Sequence, residues 1–162
     1  MSTIFFKILK GGKILQERYE TFTVLINRIS RNIKKIKNKE MAEYDLRSPH
    51  ISCLYYIYLE KNITATMLCE KCEEDKATIS RALDYLEEKG YIFREFQGTK
   101  RYNSPLLLTE KGEKTGEKIA EKIENVLKKI NEDLSEDMRK EFYTSLALIS
   151  EKLEKEANRE KE

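Results

Sequence analysis

Lys76, Thr78, Ser80 and Arg81 fall within one short stretch, DKATISRALDYLEEKGYI (residues 75–92), in which Ile79, Ala82, Leu83 and Leu86 recur at three- and four-residue spacing. That spacing puts the apolar residues on one face of a helix and leaves the polar and basic ones near its N-terminal end, facing elsewhere. A guanidinium so placed can fork onto a guanine edge, and hydroxyls can bond phosphates or bases, so the expected chemistry is the reading of a DNA groove. Asp75 suits the N-cap better than a DNA contact, and Gly90 predicts where the helix stops. An ordinary surface helix of an all-α protein could carry the same pattern, and the neighbouring elements separate the two readings.

A second set is His50, Cys53, Cys69 and Cys72, an H-x2-C and a C-x2-C separated by fifteen residues. The spacing is that of a tetrahedral zinc site, but these residues fall on predicted helices rather than on knuckle turns. Three readings stay open: a metal site, a redox-responsive thiol, or cysteines packed as small apolar residues. Tyr55, Tyr56 and Tyr58 follow His50. With it, Tyr55 and Tyr56 could line a pocket for an aromatic or acidic effector, whereas tyrosines on a buried helix more often sit in the core with the hydroxyl at its rim. With a single His, no Gly-rich phosphate loop and no Ser/His/Asp set, the chain does not read as an enzyme, and no cofactor is expected.

The elements that must position these groups come next. Residues 92–96 and 102–108 are two β-prone runs joined by Gln97, Gly98, Thr99, Lys100 and Arg101, a hairpin with a basic tip. A helix followed by such a hairpin predicts a winged helix. Upstream, residues 64–72 suit a supporting helix with Thr64 as N-cap and Met67 and Leu68 facing inward, and residues 73–75 suit the turn of a helix-turn-helix. Residues 15–38 form a long helix whose Leu15, Tyr19, Phe22, Ile26, Ile29, Ile33 and Ile36 alternate steps of four and three, a heptad seam. Ile119, Ile123, Val126 and Ile130 repeat that pattern, and a last helix carries Met138, Phe142, Leu146, Ile149 and Leu153. These stripes predict a lobe built from both termini, as a two-copy interface or as an intramolecular three-helix bundle.

In this order the pieces PHISCLYYIYLEK (residues 49–61), TATMLCEKCEEDKATISRALDYLEEKGYI (64–92) and KRYNSPLLLTEKG (100–112) resemble the MarR family of bacterial transcription regulators, in particular its compact members from Gram-positive anaerobes. The resemblance covers nearly the whole length. It implies a mainly α fold, a winged helix-turn-helix with a two-stranded wing over residues 41–110 and a helical dimerisation lobe from residues 1–40 and 111–162. It also implies a homodimer that binds double-stranded DNA at a pseudo-palindromic operator and represses transcription until a small molecule or an oxidant releases it. In that family the start of the second helix, here His50, lies near the crevice where effectors bind. Many members carry an Asp-x-Arg at the wing. Lys100, Arg101 and Tyr102 stand over those positions here, so the acidic partner is absent and the arginine is displaced by one residue.

Charge is plentiful at 37% but nearly balanced at +2, which also permits a winged-helix protein-interaction module that never touches DNA. The distribution is more telling: residues 1–39 hold ten Lys/Arg against two Glu, residues 76–109 six against four, and residues 64–75 are net −3. The supporting helix should therefore turn away from phosphate. No stretch approaches the roughly 20 apolar residues of a membrane span. The patch Ile4, Phe5, Phe6, Ile8 and Leu9 is expected to pack on a partner subunit, and three cysteines without a secretory signal point to reduced thiols in the cytoplasm.

Overall fold

The computed structural model describes residues 14–94 and 104–159, with side chains from residue 21 onward. The elements run α1 (Ile14–Glu40), a 3-10 turn (Ala42–Tyr44), α2 (Ser48–Leu59), α3 (Ala65–Cys72), α4 (Lys76–Glu88), β1 (Ile92–Arg94), β2 (Leu106–Leu108), α5 (Glu110–Asn131) and α6 (Glu136–Ala157). The chain divides into two compact units, Met1–Ile119 and Ala120–Glu162.

In the first unit, α2, α3 and α4 pack on one another around Ile51, Leu54, Ile63, Leu68, Ile79, Leu83 and Leu86, all at most 1% exposed. Each such side chain contributes on the order of 1.5–3 kcal/mol by leaving water. The four apolar positions predicted for the underside of α4 are all buried. In α3, Leu68 points inward as expected, but Met67 does not. It is 37% exposed, because an eight-residue helix with Ala65 and Leu68 inward turns its second apolar neighbour to solvent.

The caps follow the chemistry of the sequence. The Thr64 hydroxyl accepts from the Met67 amide at 3.4 Å and the Asp75 carboxylate from the Thr78 amide at 2.8 Å. Between them Glu73 takes a left-handed conformation (φ 53°), which closes the tight turn from α3 to α4. Gly90 (φ 69°) ends the run after α4, where a side chain would be strained.

β1 and β2 pair antiparallel, Ile92 opposite Leu108 and Arg94 opposite Leu106, and the Leu106 amide extends the ladder to the Ile63 carbonyl at 3.0 Å. The predicted strands are longer, but residues 95–103, with Phe96 and Tyr102, lie outside the described residues. Thr109 joins this sheet to α5: its hydroxyl donates to the Gly90 carbonyl at 2.7 Å and accepts from the Gly112 amide at 3.0 Å. Gly112 sits against the Tyr91 carbonyl and Gly116 against the Tyr58 ring, where a Cβ would come within 2.7 Å.

The first helix is two residues longer at its C-terminal end than predicted, and its seam stays uncovered within the described chain. Ile29 and Ile33 are each 48% exposed. The second unit holds the last part of α5 and α6, whose N-cap Ser135 accepts from the Met138 amide at 3.3 Å. α6 has no buried residue, and Met138, Phe142, Ile149 and Leu153 all stand exposed. No described helix is long and apolar enough to cross a membrane.

Candidate nucleic-acid interface

Burial of Ile79, Ala82, Leu83 and Leu86 fixes the rotation of α4, so Lys76, Ala77 and Arg81 are left exposed and Thr78 and Ser80 half-buried. The first turn is ordered by a chain of hydrogen bonds. Asp75 accepts from the Thr78 amide and, at 2.9 Å, from the Thr78 hydroxyl, whose oxygen in turn accepts from Arg81 Nη2 at 3.3 Å. The backbone amide of Thr78, then its hydroxyl, hold the Asp75 carboxyl below its usual range, so the cap stays ionised. Arg81 is thereby oriented along the N-terminal edge of the helix, the part that can enter a major groove first.

Beside it lies a groove of about 460 Å³ lined by Asp45, Arg47, His50, Thr78, Arg81 and Tyr85, with Pro49 and Ala82 at its floor. The His50 ring stacks on Tyr85 at 4.2 Å with 7° between the planes. His50 Nδ1 accepts from the Arg47 amide at 3.2 Å, which places the neutral ring's proton on Nε2. Burial, and then the Arg47 charge, push the His50 pKa down. The Tyr85 hydroxyl donates to the Asp45 carbonyl at 2.9 Å and lies 3.0 Å from its carboxylate. Of the residues predicted for an effector pocket, His50 lines this groove. Tyr55 and Tyr56 do not: they pack edge to face at 5.5 Å elsewhere on α2.

Arg47, Asp45 and Tyr85 are the members that sequence reasoning missed. Tyr85 was legible in part, since it follows Arg81 by four residues and Thr78 by seven and must share their face. Arg47 and Asp45 were not, because only the folded turn before α2 brings them to α4.

The putative zinc spacing does not assemble as a quartet. His50 faces Arg47 and Tyr85, whereas the Cys53 thiol hydrogen-bonds to Cys72, and among the described residues no group of three His, Cys, Asp or Glu side chains is placed to hold a metal ion. All three cysteines are free thiols. Lys100 and Arg101, expected at the wing tip, lie outside the described residues. Arg94 approaches that tip from β1. Its largely buried side chain reaches Asp84 at 3.4 Å and Glu87 at 3.5 Å, tying the wing's first strand to α4.

A model of the MarR family matches residues 44–101, a span that runs from the groove through the helix-turn-helix to Arg101. A curated relative, the HTH-type transcriptional regulator BilQ of Clostridioides difficile, is 28% identical over 97 residues, 60% of this chain. The chain belongs to the MarR family.

Two solved structures extend the likeness beyond that span. One, described as MarR, is 28% identical with a TM-score of 0.68, covering 85% of this chain and 94% of that one. The other, the MepR–DNA complex of S. aureus, has a TM-score of 0.74 at 20% identity, covering 82% of this chain and 97% of that one, and shares the fold. The match to BilQ spans 66% of that regulator's length. Against the wing pattern common in the MarR family, this chain keeps basic residues at positions 100 and 101 but lacks the acidic partner.

Proposed function

We propose that this MarR-family chain is a sequence-specific DNA-binding regulator, a repressor that acts as a homodimer on a pseudo-palindromic operator. The observation that carries the reading is α4 itself: a capped helix with its whole apolar side buried and Lys76, Thr78, Ser80 and Arg81 on the side left over. Two such helices, about one duplex turn apart, would enter successive major grooves, with Lys100 and Arg101 on flanking backbone or minor groove. The uncovered apolar stripes of α1 and α6 support a second copy as the partner, with residues 1–40 and 111–162 as the dimerisation lobe and residues 41–110 as the DNA-binding lobe. The groove at His50 and Tyr85, flanked by Arg47 and Arg81, suits an aromatic anion as effector, since a ring can stack and a carboxylate meet a guanidinium. Such a ligand would compete with DNA for Arg81.

The test is a gel-shift titration on an operator selected from random duplexes. Arg81→Ala is expected to weaken specific binding by about 1–3 kcal/mol, whereas changing Lys100 and Arg101 together weakens binding to all sequences and flattens its salt dependence. Equal operator affinity for Arg81→Ala and the unaltered protein would overturn the assignment of α4.

A further inference from the structure

We propose that Cys72 is a peroxide-reactive thiol and Cys53 its resolving partner, so that oxidation closes an intrachain disulfide between α2 and the turn that leads into α4.

The two residues come from different helices that pack on one another. Cys53 is wholly buried in the middle of α2, with 0% exposure, and Cys72 is the last residue of α3, half-buried and so reachable by a small oxidant. The thiol of Cys53 hydrogen-bonds to the sulfur of Cys72, and both are free. A third element completes the cluster. Lys37 of α1 is held by a 2.9 Å hydrogen bond from its Nζ to the hydroxyl of Ser52, the neighbour of Cys53, and its charge faces Cys72. Glu74 and Tyr56 also face Cys72. Glu74 opposes its ionisation, and the Cys53 hydrogen bond together with Lys37 outweighs that opposition.

The roles follow from this asymmetry. Donation from Cys53, then the Lys37 charge, hold the Cys72 thiol below its ordinary value. The same hydrogen bond and burial push Cys53 far up, and burial pushes Cys69 up. The thiolate is the reactive form, so Cys72 attacks first and Cys53 keeps its proton until it is needed. In the first step the Cys72 thiolate attacks one oxygen of the peroxide, the O–O bond breaks, and the departing hydroxide or alkoxide takes a proton from water, leaving a sulfenic acid. In the second, Cys53 sulfur displaces the sulfenic hydroxyl, which leaves as water with the Cys53 proton. Two thiols are oxidised and one peroxide is reduced.

A disulfide requires its sulfurs about 2.05 Å apart, closer than any hydrogen-bonded pair, so closing it draws the end of α3 toward α2. Cys72 immediately precedes the left-handed Glu73, and three residues on stands Asp75, the cap that orders Thr78 and Arg81. The displacement is therefore delivered to the N-terminal turn of α4. That consequence rests on the reading of α4 as a DNA-contacting helix; the thiol chemistry does not.

The full chain is treated with limiting hydrogen peroxide, digested without reductant and mapped by mass spectrometry. A Cys53–Cys72 cross-linked peptide is expected in the unaltered protein and in Cys69→Ser. In Cys53→Ala, a sulfenic acid on Cys72 should accumulate and be trapped by dimedone. Modification of Cys69 ahead of Cys72, or a cross-link between chains instead of within one, would overturn the proposal. The oxidised protein should lose about tenfold in operator affinity, restored by dithiothreitol. An unchanged affinity with the cross-link present would remove the link to α4. Reduced protein that ignores every duplex would instead sink the DNA reading, with the peptide map still deciding the thiol pair.

Discussion

α4 and α6 carry the same kind of stripe and end in opposite states. In α4 all four apolar positions are buried by the chain's own α2, α3 and β1, and the polar residues are what remains at the surface. In α6 a stripe of larger residues, Met138, Phe142, Ile149 and Leu153, meets solvent along its whole length. Exposed aromatic and aliphatic side chains in line, rather than scattered, mark a surface made to be covered. One helix is finished within a single chain; the other is half of an interface.

The widest gap between the two should appear in a paired substitution of Phe142→Ala and Leu153→Ala. If a second copy covers α6, removing both costs about 5 kcal/mol or more per protomer of the assembled form, and sedimentation should show single chains at concentrations where the unaltered protein is paired. An unchanged sedimentation profile would erase the contrast. Leu83→Ala acts within one chain instead, and urea unfolding should register a loss of about 2–5 kcal/mol that does not vary with protein concentration beyond the effect of pairing itself. A smaller step is Thr64→Ala, which removes the cap of α3 and should cost about 1 kcal/mol by the same assay.

The finest distinction is in pH. The folded His50 has its pKa below the ordinary 6.5, so the unfolded chain binds the proton more readily. Stability tied to this ring is intact above 6.5 and falls as pH drops through the folded value. Protonation also removes the Nδ1 acceptor from the Arg47 amide. His50→Gln should therefore flatten the stability profile on the acid side of neutrality and leave it unchanged at pH 8 or so. A profile parallel to that of the unaltered protein would show that the ring titrates as if unfolded.

What was legible in the sequence tracks how local each signal is. The α4 pattern, the caps at Thr64 and Asp75 and the stop at Gly90 are set by neighbours within four residues, and the structure keeps them. Met67 was misplaced because periodicity over eight residues leaves the helix phase uncertain by about one position. The groove could not be read: Arg47 and His50 meet Tyr85 only after the chain has folded back across α3. The cysteines lie between these cases. Their spacing announced a cluster, and the fold joins Cys53 to Cys72, but His50 belongs to another surface, since it starts α2 one turn away from Cys53 and faces Tyr85. The wing tip, with Lys100 and Arg101, falls among residues that are not described.

Thr109, Gly112 and Lys111 leave almost no play between the end of α4 and the start of α5. The Thr109 hydroxyl is bonded on both sides, Gly112 has no side chain to hold the Tyr91 carbonyl away, and Lys111 Nζ donates to the Lys89 carbonyl at 2.7 Å while lying 3.9 Å over the Tyr91 ring. α5 then continues unbroken to Asn131. A rigid rod clamped at one end transmits rotation about its axis instead of absorbing it. Twisting the far end of α5 by a few degrees would swing the tip of α4 sideways across the groove it reads, so a small event far from Arg81 can change what Arg81 touches.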